Sequence, residues 1–173
     1  MQVINLWSGP CTGKSTTASG LFYEMKKMHL NVELVTEYAK DLTYDRRFNI
    51  LEDQIYVFAK QQRRIARLLD HNIDWVITDS PIPLGLCYVR EGALSANFYN
   101  LVIEVFNNYE NHNYVLRRNV PYTPVGRNQT EEEAKEFDKK ATNLLKTYNI
   151  PYSEIVGGEP AVTTILENLN LKI

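Results

Sequence analysis

A chain of 173 residues, 44% apolar and 23% charged, has the size and make-up of one soluble globular domain with its own core. Its formal net charge of −2 weighs against a broad nucleic-acid surface, while leaving room for a local pocket that takes a small anion. Two cysteines, Cys11 and Cys87, exclude a disulfide framework, and no apolar run approaches membrane-spanning length, so a cytoplasmic protein without signal peptide or membrane anchor is expected.

The first predicted element is a buried strand over Val3–Trp7. Directly after it come Ser8, Gly9, Pro10, Cys11, Thr12, Gly13, Lys14, Ser15 and Thr16, and then a helical pattern over Thr16–Met28 with Ala18, Leu21, Phe22 and Met25 inward. Strand, tight turn and helix start in this order read as a Walker A phosphate loop. Successive backbone N–H groups and the helix N-terminus form an anion nest for ATP, with Gly9 to Thr16 as the binding stretch. Lys14 is expected to reach the outer phosphates and the Ser15 hydroxyl to ligate Mg²⁺. The pattern places Ser8 where a first glycine is usual; Ser8 is small and Gly9 adjoins it, so an intact cradle is expected.

Val32–Val35 reads as a second strand running out through Glu37-Tyr38-Ala39-Lys40-Asp41, which puts Glu37 at the carboxyl edge of a parallel sheet, where open α/β folds bind ligands. After a polar link over 45–49, one long helix is expected from about Leu51 to Leu69. Leu51, Ile55, Phe58, Ile65 and Leu69 would face the core, with Lys60, Arg63, Arg64 and Arg67 opposite. That basic stripe reads as a solvated face, with binding of a substrate phosphate as the alternative. Gln54 projects beside the apolar stripe and is either a cleft residue or an ordinary boundary glutamine.

Trp75–Thr78 is a third strand, and Asp79 at its end, downstream of a phosphate loop, reads as the Walker B carboxylate beside the metal. A short helix is expected over Leu84–Arg90 and an amphipathic one over Asn97–Tyr109, burying Phe98, Leu101, Val102, Val105 and Phe106. The fourth strand, Tyr114–Leu116, runs into Arg117, Arg118 and a stretch to Gln129 that holds two prolines, a glycine and Arg127. This region, about 117–130, reads as an Arg-bearing lid over bound phosphates, with an exposed linker as the alternative. Thr130 and Glu133 form a capping box that opens a helix to about Tyr148; a fifth strand over Tyr152–Val156 and a helix over Ala161–Leu169 follow.

Phosphate loop, strand-end Asp79 and Arg lid together give a chain that resembles the P-loop kinases of the nucleoside and nucleotide kinase group, in particular small phage-type proteins with ribosylnicotinamide-kinase-like ATPase domains. The resemblance implies an α/β fold: a single three-layer P-loop NTPase domain over residues 1–173 with a five-stranded parallel sheet in the order 2-3-1-4-5. It implies ATP and Mg²⁺ as cofactors and a nucleoside or nucleotide as acceptor. Lys14, Glu37, Asp79, Arg117, Arg118 and Arg127 become the catalytic candidates, with Glu37 taking the acceptor proton. Ser15 and Asp79 become the metal candidates, and Glu37, Tyr38 and Gln54 the substrate candidates. A second reading is a kinase of a modified base, 5-hydroxymethyluracil, within phage DNA, with Tyr38, Tyr44 and Tyr88 available for stacking. A regulatory ATP-binding module is the third, and it leaves the arginines without a task.

Overall fold

Alternation along the first strand decides the layering. In β1 (Gln2–Trp7), Val3 and Trp7 point to one face of the sheet and Ile4 and Leu6 to the other, and all four are buried. A strand apolar on both faces needs cover on both, the arrangement of a parallel sheet between two helix layers. The computed structural model, which describes residues 1–119 and 130–171, has that arrangement. Strands β1, β2 (Val32–Val35), β3 (Trp75–Thr78), β4 (Glu110–Arg117) and β5 (Ser153–Val156) form one parallel sheet in the order β2-β3-β1-β4-β5. The expected strand order holds.

Helices α1 (Lys14–Lys27) and α7 (Glu159–Asn168) cover one face, placing Leu21, Met25 and Ile165 against Ile4, Leu6 and Ile77. The other face carries α4 (Gln54–Ala66), α5 (Ala96–Asn107) and α6 (Glu131–Thr147), which contribute Ile65, Phe106 and Leu145. Asn5 and the Trp7 indole, polar groups inside this core, are paired. Asn5 Nδ2 donates to Asn111 Oδ1 at 2.9 Å, and Trp7 Nε1 donates to Asn113 Oδ1 at 3.0 Å, so burial strands none of these groups.

Five expectations need correction. The sequence from Tyr38 does not continue the second strand: it forms α2 (Tyr38–Tyr44) with Glu37 at its N-cap. The long helix over 51–69 is two helices, α3 (Phe48–Leu51) and α4, because Asp53 accepts the Tyr56 N–H at 3.1 Å and caps a fresh start. The inward face of α4 is also rotated. Gln54, Val57, Gln61 and Ile65 are buried while Ile55 and Leu69 are 52% and 54% exposed, since the two glutamine amides find partners inside. Leu101, expected inward, is exposed on α5. The short helix over Leu84–Arg90 is a 3₁₀ segment over Ile82–Tyr88. The greater part of the expected lid, Arg127 included, lies outside the described residues.

Candidate active site

The phosphate loop is held at almost every residue. Ser8, at the first glycine position, has a task of its own: its Oγ donates to the Leu116 carbonyl at 2.8 Å and accepts the Leu116 N–H at 3.2 Å. The hydroxyl thereby extends the β1–β4 pairing by one step after Trp7, using a side chain where the main chain has turned away. Thr12 Oγ1 donates to the Gly9 carbonyl at 3.1 Å, and the Lys14 ammonium donates to the carbonyls of Ser8 and Gly9 at 2.7 and 2.6 Å. Gly13, with φ of 83°, takes the left-handed turn from which α1 starts, so the amides at the head of that helix face the loop's concavity.

A second turn closes the loop from the far end of the chain. Thr17 Oγ1 both donates to the carbonyl and accepts the N–H of Gly158, each at 3.1 Å. A Cβ on Gly157 would stand 1.9 Å from the Thr12 carbonyl oxygen, so no other residue fits there.

At the end of β3, Asp79 Oδ2 accepts from the Ser15 hydroxyl at 2.9 Å. Its other oxygen, Oδ1, is the one buried side-chain polar atom among the described residues without a hydrogen-bond partner. A buried carboxylate oxygen left open beside a serine hydroxyl fits a magnesium ion, which takes one or two protein oxygens and completes its shell with water and phosphate. No cluster of three or more His, Cys, Asp or Glu side chains suited to a metal occurs among the described residues.

Glu37 is placed by α4. Gln61, 4% exposed, accepts the Tyr38 N–H at 2.8 Å and turns its amide nitrogen to the Thr36 carbonyl at 3.5 Å. Arg64 donates to the same carbonyl at 3.0 Å, to Thr36 Oγ1 at 3.2 Å, and to Asp41. The peptide groups on both sides of Glu37 are therefore tied to one helix. Arg64 departs from the solvated reading of the basic stripe, whereas Lys60, Arg63 and Arg67 are exposed. Gln54 is buried, donates to the Leu51 carbonyl at 2.8 Å and lies against Gly85.

A cleft of about 520 Å³ gathers the phosphate loop, Lys14, Ser15, Glu37, Gln54, Gln61, Asp79 and Tyr88 on its wall. Tyr38 is not on that wall: its ring lies under the Arg64 guanidinium, 5.1 Å from the centroid, and its hydroxyl donates to that of Tyr56. That bond pushes the Tyr38 phenol up in pKa and the Tyr56 phenol down. Arg117 is exposed at the end of β4. Arg118 bonds to Asp138 and to the Pro10 carbonyl, outside the cleft. Sequence reasoning missed Gln61, Thr17, Gly157 and Asp138. The seven-residue spacing from Gln54 to Gln61 on one helix face was a signal; the other three carry none until the chain is folded.

A family model described as an AAA domain matches residues 3–160. The chain belongs to this AAA domain family. Among solved structures, the AAA domain is similar to NadR protein in complex with NAD and AMP-PNP, with a TM-score of 0.74 and 17% identity. That match covers 99% of this chain and 50% of the NadR chain, so this chain spans half the length of that protein. It is also similar to deoxyadenosine kinase from M. mycoides with bound dATP, with a TM-score of 0.57, 19% identity, and 98% and 100% of the two chains covered. At these identities the likeness is one of fold, a nucleoside-kinase-like P-loop domain. No curated protein matches the sequence. Among the described residues of this AAA domain, no helix is long and apolar enough to cross a membrane.

Proposed function

We propose that this protein is an ATP- and Mg²⁺-dependent phosphotransferase acting on a nucleoside or nucleotide. The observation that carries the reading is the single cleft shared by Lys14, Ser15, Asp79 and Glu37. The nucleotides bound in the similar structures, AMP-PNP in NadR and dATP in deoxyadenosine kinase, support nucleotide binding in this cleft. The loop amides and Lys14 bind the triphosphate and orient its outer phosphate toward the cleft. Ser15 and Asp79 hold the magnesium ion, which when bound neutralises phosphate charge. Glu37, with its backbone fixed by α4, accepts the proton that the acceptor hydroxyl sheds as its oxygen bonds to phosphorus, and Gln54 offers an amide to the acceptor's polar edge.

A second reading, a base carried within DNA as acceptor, draws on the rim of the cleft. Tyr44 and Tyr88 are exposed on the cleft wall, and outside it the Lys60 ammonium stands 5.2 Å from the centroid of the exposed Tyr56. Transfer of radiolabelled phosphate from ATP to a panel of nucleosides, monophosphates and hydroxymethyluracil DNA tests both. Labelling of a free nucleoside or monophosphate supports the first reading, labelling of DNA alone moves the assignment to the second, and no labelling of any acceptor overturns the phosphotransferase. On the best acceptor, Glu37→Gln is expected to cut turnover by about 10²–10⁴-fold for a hydroxyl acceptor and far less for a phosphate, with ATP affinity little changed. A collapse of ATP binding would instead put Glu37 in the donor site.

A further inference from the structure

Helix α6 reaches over the phosphate loop and touches it through a charged pair. Asp138 Oδ1 accepts the Gly9 N–H at 2.5 Å, while Oδ2 accepts from Arg118 Nε and Nη2 at 3.1 and 2.8 Å. The remaining arm of the same guanidinium, Nη1, donates to the Pro10 carbonyl. The fit is close: a Cβ on Gly9 would come within 2.8 Å of the Ala134 carbonyl and 2.9 Å of Asp138 Oδ1. Two consecutive loop residues are thus gripped from outside, one by its N–H and the next by its C=O. Arg118 is largely buried and Asp138 half-buried, and neither lines the cleft.

Without nucleotide, Lys14 helps to hold the loop through the carbonyls of Ser8 and Gly9. A lysine that reaches bound phosphates gives those carbonyls up. The loop also carries Cys11 at φ 61°, a left-handed conformation that a side chain makes costly. When Lys14 turns to the phosphates, the outer half of the loop depends on its contacts with β4 and α6.

We infer that Arg118 and Asp138 are a positioning pair for the phosphate loop: Asp138 fixes Gly9 and aims Arg118 at Pro10, and the pair keeps the amide nest in its anion-binding shape. Arg118 then acts through the loop rather than on a phosphate. The inference rests on reading the loop as a triphosphate cradle.

Calorimetric titration of the whole protein with Mg²⁺ and AMP-PNP tests it without knowledge of the acceptor, alongside thermal unfolding without ligand. Asp138→Asn and Arg118→Gln are each expected to weaken AMP-PNP binding about tenfold, the scale of one charge-assisted hydrogen bond. The double variant is expected to lose no more than either single one, because each residue works through the other. Arg118→Lys, which keeps a donor for one partner, is expected to recover part of the loss and keeps the test open should Asp138→Asn fail to fold. Unchanged or tighter binding by Asp138→Asn overturns the inference, as expected of an arginine that binds phosphate once its carboxylate is gone. Losses that multiply in the double variant, or a fall in melting temperature with affinity intact, overturn it as well. Lys14→Ala serves as the control. If it binds AMP-PNP normally, the cradle reading itself fails; if it loses binding while the pair variants keep theirs, the positioning role alone fails.

Discussion

Lys14 holds two loop carbonyls, and neither bond belongs to the core. Lys14→Ala is therefore expected to abolish phosphoryl transfer while lowering stability by only about 1 kcal/mol, measured by urea unfolding beside the turnover assay. Near-parental turnover would remove the phosphate-loop assignment. At Asp79 the open Oδ1 leads to a different expectation. Asp79→Asn should raise the Mg²⁺ concentration needed for half-maximal activity, with partial recovery in excess Mn²⁺; an unchanged metal titration would take Asp79 out of the metal's shell. Cys87 carries an expectation of its own, because burial pushes its thiol up to about 12. Near pH ~8 only about one such thiol in 10⁴ is ionised, so iodoacetamide should leave Cys87 unmodified until the protein unfolds, as read by mass spectrometry with and without urea.

Among the elements, the strands and the loop between β1 and α1 are legible from sequence, because burial on both faces leaves runs such as Val76-Ile77 and because Gly13-Lys14-Ser15 has a spacing set by phosphate chemistry. The face of α4 is not legible in that way. A hydrophobic count treats glutamine as outward, and nothing local reveals that Gln61 has the backbone around Glu37 as its partner, 25 residues away at Thr36. Gln61→Leu keeps the volume and leaves the Tyr38 N–H without its acceptor. It should lower stability by about 1–3 kcal/mol in urea titrations and reduce turnover more than ATP affinity. Parental turnover in that variant would show that Glu37 needs no support from α4. The Asp138 contact was equally hidden, since its partner Gly9 is 129 residues distant and no motif marks the pair.

On the scale of the whole molecule, the strand order β2-β3-β1-β4-β5 follows from the family likeness and not from periodicity, which reports burial but not neighbours. The opposite edge of the sheet supplies a pH dependence. His112 stacks beside Trp75 at 5.7 Å and bonds to Gln2, and burial lowers its pKa, with Glu110 partly opposing. Below the ordinary histidine value of about 6.5 the unfolded chain takes up a proton that the folded one resists. Stability should fall as pH drops through that value and level off below the folded pKa. Urea midpoints compared between about pH 8 and about pH 5 should show a smaller acid loss for His112→Gln, and equal losses would assign the acid sensitivity elsewhere. The 1.9 Å clearance at Gly157 has a consequence in time. The loop that carries the phosphate motif leaves the ribosome before the turn that seals it against Thr12 and Thr17, which arrives some 140 residues later. A growing chain thus carries the phosphate motif with one wall of the cradle missing until that turn emerges and docks.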